Sequence, residues 1–181
     1  MDALEVLVHD HRMVEQLFRN YHAGASDAQR RAVVELLVRE LSKHAALEEM
    51  LIYPLAREVL PDGAREVDDR LGEHMALKKT LLALDRLSAG DDRTDALVAE
   101  LRREVEEHVH EEETEFMPRL RAAVSQERLD RLGEELAKAK RGAPTRPHPH
   151  APDRPPGLTL AAPMAAAYDR ARDRLQGRPR T

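Results

Sequence analysis

Four segments of this chain repeat apolar residues in steps of three and four, and each interrupts its run with histidine where an aliphatic side chain would be expected. The first reads Leu4, Leu7, His11, Val14, Phe18, and the third reads Val67, Leu71, His74, Leu77, Leu81, Leu84. The second and fourth also carry a glutamate one turn after the histidine. They read Leu37, Leu41, His44, Glu48, Leu51, Leu55 and Leu101, Val105, His108, Glu112, Phe116, Leu120. The spacing is that of amphipathic helices with one buried stripe. Such helices can satisfy their stripes only by packing together, and they then aim four imidazoles and two carboxylates at one interior.

The helices expected from this pattern run over about residues 2–22, 27–59, 64–88 and 94–122. A shorter fifth is expected between Ser125 and Gly142. Ser26 and Gln29 have capping-box spacing, Pro61-Asp62-Gly63 and Gly90-Asp91-Asp92 are turns, and Pro54 is expected to bend or shorten the second helix. Short connections between long helices imply antiparallel neighbours. The fold class is therefore all-α, an antiparallel up-down four-helix bundle. Ala, Leu, Glu and Arg dominate the composition and only 3% of residues are aromatic, which suits helices better than sheets.

Composition also narrows the chemistry. With no cysteine in the chain, disulfides, thiolate metal sites and cysteine nucleophiles are excluded. The 34 acids and 29 bases are interspersed, giving a net charge of -5 and no basic face for a nucleic acid. No stretch of about 18 apolar residues offers a membrane span, and the N-terminus lacks a basic segment followed by an apolar run. A cytoplasmic protein that is a monomer or weak dimer is the expectation.

The second and fourth stripes are versions of one motif. HAALEEMLIYP (44–54) and HVHEEETEFMP (108–118) share a histidine, glutamates four and five residues on, and a proline ten residues on. His11 to His44 is 33 residues and His74 to His108 is 34, so the first pair of helices matches the second. Residues four apart on a helix lie one above the other and can reach one centre together. A lone histidine in an apolar stripe is commonly a hydrogen-bonded core residue, and a lone His-x-x-x-Glu pair is commonly a surface ion pair. Six such residues on four stripes are different, because two core-facing carboxylates need a compensating cation.

The metal ligands expected are His11, His44, Glu48, His74, His108 and Glu112, arranged as two half-sites around a pseudo-twofold axis. Nitrogen and oxygen donors alone favour non-haem iron, with manganese or zinc as alternatives. His9 and His110 fall on the opposite face, and His22 lies about 16 Å along the axis from His11. The other acids of the fourth helix, Glu104, Glu106, Glu107, Glu111, Glu113 and Glu115, are expected on the solvated surface, with Glu111 and Glu113 flanking the ligand face.

From residue 143 the composition changes. APTRPHPHAPDRPPG is proline-rich and extended in character, followed by the apolar LTLAAPMAAAY and the basic DRARDRLQGR. Residues 1–141 are therefore read as the metal-binding domain and 142–181 as a Pro-rich tail with a short C-terminal helix. The tail is either a flexible appendage or a strap touching the bundle through Leu158, Leu160, Met164 and Tyr168.

The series His11, His44-x-x-x-Glu48, His74, His108-x-x-x-Glu112, in the contexts DHRMVEQLF, HAALEEMLIYP, EHMALKKTL and HVHEEETEFMP, resembles the hemerythrin-like, or HHE cation-binding, domain over about residues 2–140. The resemblance implies two irons per chain, bridged by an oxo or hydroxo group and by Glu48 and Glu112, with the histidines as terminal ligands. It also implies a small oxidant as ligand: dioxygen, hydrogen peroxide or nitric oxide. Family members include carriers, sensors and proteins of peroxide or nitric oxide handling.

This chain departs from the oxygen carriers. Lys78 stands where they have a second histidine in the third helix, and its last motif is His-x-x-x-Glu where theirs is His-x-x-x-x-Asp. Turnover of a small oxidant, with a catalase-like or peroxidase-like activity as one form, is thereby favoured over reversible carriage, and sensing without turnover is the alternative. A ferritin-like oxidase needs Glu-x-x-His on two helices, and the only such pair, Glu107-x-x-His110, is off the face. Tyr53, in a Tyr-Pro context similar to that of bacterial members, is a candidate to hydrogen-bond or bind near the iron. Its phase on an ideal helix is about 180° from His44, which opposes that role unless Pro54 distorts the turn. His148 and His150 are more distant candidates to replace the missing ligand.

Overall fold

The computed structural model describes residues 1–177; the last four residues of the expected tail, 178–181, lie outside the described residues. The helices in chain order are α1 (Ala3–Asn20), α2 (Asp27–Leu47), α3 (Tyr53–Val59), α4 (Gly63–Arg86), α5 (Thr94–Glu111), α6 (Met117–Ala123), α7 (Gln126–Lys140) and α8 (Gly157–Leu175). A five-residue π turn, Glu48–Ile52, joins α2 to α3, and a second, Glu112–Phe116, joins α5 to α6. These two composite helices together with α1 and α4 make the four-helix bundle. No described helix is long and apolar enough to cross a membrane.

Local signals set the ends. Asp2 accepts the Glu5 backbone N–H while Glu5 accepts that of Asp2, and Ser26 and Gln29 make the same reciprocal pair at the start of α2. Asp2 also accepts from Arg121 at 2.8 Å and Gln126 at 3.0 Å, tying the N-terminus to the start of α7. α7 lies against α1 and α2. Gly133 permits that approach: a Cβ there would stand 2.5 Å from the Met1 carbonyl oxygen.

The π turns correct the expectation of a simple bend at Pro54. In each, a backbone N–H reaches five residues back, Tyr53 to the Glu48 carbonyl and Met117 to that of Glu112. Pro54 and Pro118 then fall in the first turn of α3 and α6, where a missing N–H leaves no bond unmade. The extra residue rotates the rest of each composite helix by about 100°. Ile52 is consequently fully buried where the sequence pattern placed Leu51, which is only half-buried.

Two apolar clusters fill the bundle. Val14, Phe18, Leu37, Leu81 and Leu101 belong to one, and Leu7, Ile52, Leu71, Phe116 and Leu120 to the other, which α7 extends through Leu129 and Leu136. On every bundle helix the histidine lies between residues of the two clusters. The polar groups are thus confined to a layer with a dry plug on each side.

The tail docks on the bundle, so the flexible-appendage alternative is corrected. Ala143 through Pro147 are buried, and Arg146 Nη1 donates to both carboxylate oxygens of Asp85 of α4 at 2.7 and 2.8 Å while Nη2 bonds Asp173 of α8. Asp169 accepts the backbone N–H groups of Thr145 and Arg146, folding the segment onto α8. The docking stripe is Leu158, Ala162, Ala166 and Asp169. Of the four side chains expected to make this contact only Leu158 does; Leu160, Met164 and Tyr168 are exposed on the other face. Alanines let α8 lie close to the bundle, which the bulkier residues would hold off.

Candidate metal centre

All six sequence-predicted ligands meet in the polar layer. His11 comes from α1, His44 from the end of α2, His74 from α4, His108 from the end of α5, and Glu48 and Glu112 from the first position of each π turn. Glu48 and Glu112 are fully buried, and the four histidines are buried or nearly so. Glu48 Oε2 lies 3.3 Å from His44 Nε2, 3.3 Å from His74 Nε2 and 3.9 Å from His108 Nε2. Glu112 Oε2 lies 3.4 Å from His11 Nε2 and 3.6 Å from His108 Nε2. The donors form two groups sharing Glu48: His11, His44, Glu48 and Glu112 in one, and Glu48, His74 and His108 in the other.

The layer is electrostatically unfinished. None of the four carboxylate oxygens of Glu48 and Glu112 receives a hydrogen bond from a described residue. His11 Nε2 and His44 Nε2 face each other at 3.3 Å, a contact in which only one nitrogen can carry a proton. Burial opposes the imidazolium form of His11, His74 and His108, but the neighbouring glutamates outweigh it and raise all three, His108 to about 10. Burial likewise opposes the Glu48 carboxylate, and His44, His108 and His74 pull its pKa well below the usual range. Protons on imidazole therefore supply the positive charge that these carboxylates need, and a metal ion would displace them.

A second ring of carboxylates surrounds the first, and the sequence reading missed it. His11 Nδ1 bonds Glu113 at 2.8 Å, His74 Nδ1 bonds Glu49 at 3.0 Å, and His108 Nδ1 bonds Glu73 at 3.0 Å. Asp10 stands 3.9 Å from His44 Nδ1, too far for a hydrogen bond but facing it. Each helix of the bundle thus carries the acid that braces the histidine of the next one. Three braces are backed by cations: Glu113 by Arg12, Glu49 by Lys78, and Asp10 by Lys140. Glu113, expected on the solvated surface flanking the ligand face, turns in to this ring. A carboxylate on Nδ1 fixes the tautomer that leaves Nε2 free for a cation.

Lys78, at the position of the missing histidine, turns to Glu49 at 2.7 Å rather than into the centre. His148 bonds Asp169 at 3.0 Å within the tail and His150 is exposed, so neither reaches the polar layer. His9 and His110 are exposed as expected, and His22, which continues the stripe of the first helix in the sequence, is exposed as well.

The π turn brings in Tyr53, against its ideal-helix phase. Its ring is 2% exposed and its hydroxyl lies 2.9 Å from His74 Nε2. Burial, with Glu48 and Glu112 nearby, pushes the phenol pKa well above its ordinary value and keeps it protonated. Arg70, which the sequence reading did not single out, is also buried. Its guanidinium lies 4.3 Å from the Phe116 ring centre and its Nη1 is 3.9 Å from Glu112 Oε1, while Nε and Nη1 make no hydrogen bond among the described residues.

Fold and site together define a helical-bundle protein with an interior built for cations. The hemerythrin HHE cation-binding domain profile matches residues 2–120, and the chain belongs to that family. It is 26% identical over 176 residues to an uncharacterized hemerythrin-like protein of Schizosaccharomyces pombe, covering 97% of this chain and 87% of that one. The crystal structure of a hemerythrin HHE cation-binding domain-containing protein from Mycobacterium kansasii shares the fold. It has a TM-score of 0.67 and 23% identity, and the match covers 78% of this chain and 86% of that chain.

Proposed function

We propose that the chain holds two iron ions in the polar layer and there binds or turns over a small oxidant: dioxygen, hydrogen peroxide or nitric oxide. The observation that carries this is the pair of buried carboxylates, Glu48 and Glu112, whose oxygens lack hydrogen-bond donors while four Nε2 atoms face them. Uncompensated, two such charges would each cost several kcal/mol, so the residues fit a cation pair. In this reading His11, His44 and Glu112 would hold one ion and His74 and His108 the other, with Glu48 common to the two donor groups. An all-imidazole and carboxylate donor set suits iron.

Bound there, the iron pair would supply redox change and open positions for a small ligand. The chain's own residues shape what reaches them. The Tyr53 hydroxyl lies 2.9 Å from His74 Nε2; a cation on that nitrogen would end this hydrogen bond and leave the phenol O–H to donate to a ligand in the layer. The two apolar plugs close the layer along the bundle axis.

The test is elemental analysis of chain expressed with iron available. About two irons per chain is expected, and one zinc or no stoichiometric metal would overturn the reading. Peroxide and nitric oxide turnover assays then separate the ligands. A sensing role is favoured by one observation: Glu49, the brace of His74, and Lys78 line the seam beneath the docked tail, together with Arg146 and His148. Metal-dependent protection of the tail from proteolysis, without turnover, would support sensing.

A further inference from the structure

Among the described residues, clefts on opposite sides of α5 reach the polar layer, and their charges differ. One, between α1 and α5, is about 510 Å³; Arg12, Arg19 and Arg102 balance Glu15, Glu106 and Glu113 around it. The other, between α4 and α5, is about 270 Å³ and sets Glu73, Glu104, Glu107 and Glu111 against Arg103 alone.

The acidic cleft ends on the rings of His74 and His108. The His108 side chain is 10% exposed, and its Nε2 is buried without a hydrogen-bond partner among the described residues. One oxygen of Glu104 is in the same state. Glu73 connects rim to interior: its side chain is 40% exposed and it bonds His108 Nδ1. Whereas Glu113 is tied to Arg12, Glu49 to Lys78 and Asp10 to Lys140, Glu73 opens to solvent.

We propose that divalent metal ions reach the centre through this α4–α5 cleft, gathered by Glu104, Glu107 and Glu111 and delivered past Glu73 to His108. A cleft lined by one sign of charge raises the local concentration of the opposite ion and its association rate. The balanced α1–α5 cleft gives a cation no such gain, and the Arg12–Glu113–His11 chain stands at its inner end. The proposal rests on the assignment of the polar layer as a metal centre.

The experiment tracks the uptake of ferrous iron, supplied without oxygen, by the full-length metal-free chain. Protein-retained metal is measured against time after rapid desalting. The double variant Glu107→Gln/Glu111→Gln should load about 3- to 10-fold more slowly at low ionic strength and reach the same final content. The difference should shrink in about 0.5 M salt, where the screening length falls to a few ångströms. The matched control Glu15→Gln/Glu106→Gln removes the same charge from the other cleft and should load at the unaltered rate. Equal rates for all three proteins, or equal slowing of both variants, would overturn the route. If the unaltered chain retains no stoichiometric metal, the metal centre itself fails and the route with it.

Discussion

The two halves of the bundle repeat their donors and diverge around them. Asp10, His11, His44, Glu48, Glu49 and Pro54 correspond to Glu73, His74, His108, Glu112, Glu113 and Pro118. The bracing ring has the same symmetry: in each half the acid before the first histidine faces the second, and the acid after the glutamate faces the first histidine of the other half. Four residues before the first histidine, however, Leu7 in one half is replaced by Arg70 in the other. Nine residues after the second, Tyr53 is matched by Met117. All four side chains are buried. The repeated positions answer a requirement common to both halves, the holding of positive charge. The unrepeated ones make the chemistry around the layer unequal, with a guanidinium and a phenol where the symmetric positions are apolar.

If the repeated donors act as equivalents, breaking either glutamate should have the largest effect. Glu48→Ala and Glu112→Ala are each expected to lower retained metal from about two ions per chain to fewer than about one, read by elemental analysis after desalting. Loss in one variant with full retention in the other would show that the symmetry is only geometric. Arg70 tests the unrepeated side. Arg70→Met removes a buried cation facing Glu112 and is expected to destabilise the metal-free chain by about 3 kcal/mol in urea denaturation, while Leu7→Met at the matching position costs under about 1.5 kcal/mol. Equal losses would mean that Arg70 contributes packing alone.

The braces should come next. Glu49→Gln and Glu113→Gln occupy matching places, and each is expected to weaken metal affinity by about 10- to 100-fold without changing stoichiometry. Competition against a coloured chelator would measure this. A loss confined to Glu49→Gln would place its partner Lys78, rather than the repeat, in control of the His74 side of the layer.

What the sequence revealed divides along the same line. Helix positions and the convergence of His11, His44, Glu48, His74, His108 and Glu112 are dictated by periodicity, because a stripe interrupted on one helix is visible within that helix. The bracing acids are invisible to that reasoning: Asp10, Glu49, Glu73 and Glu113 each act on a histidine of a different helix, and within their own helix they look like ordinary surface acids. The π turns were hidden for another reason. A period fitted across residues 37–55 assumes a constant turn, so it placed Leu51 inside and Tyr53 outside, and one added residue reversed both. In the tail, size misled: Leu160, Met164 and Tyr168 drew attention, but contact with the bundle is made by Ala162 and Ala166.

The smallest expected effect bears most directly on the comparison, because it concerns Tyr53 and Met117, the pair the π turns carry to corresponding places. Tyr53→Phe keeps the ring that packs 6.1 Å from Phe116 and removes only the hydroxyl bonded to His74. The cost to the metal-free chain should be about 1 kcal/mol, one hydrogen bond's worth, and metal content should not change. Met117→Leu, a volume-conserving swap in the matching place, should cost less than about 1.5 kcal/mol and leave metal content alone. The two variants should part in the iron-loaded protein. Loss of the phenol removes a proton donor beside the His74 and His108 pair, so its visible spectrum and peroxide reactivity should change while those of Met117→Leu stay as they were. Identical spectra in both would reduce the Tyr53–Met117 difference to packing, leaving Arg70 against Leu7 as the buried mismatch that still sets the halves apart.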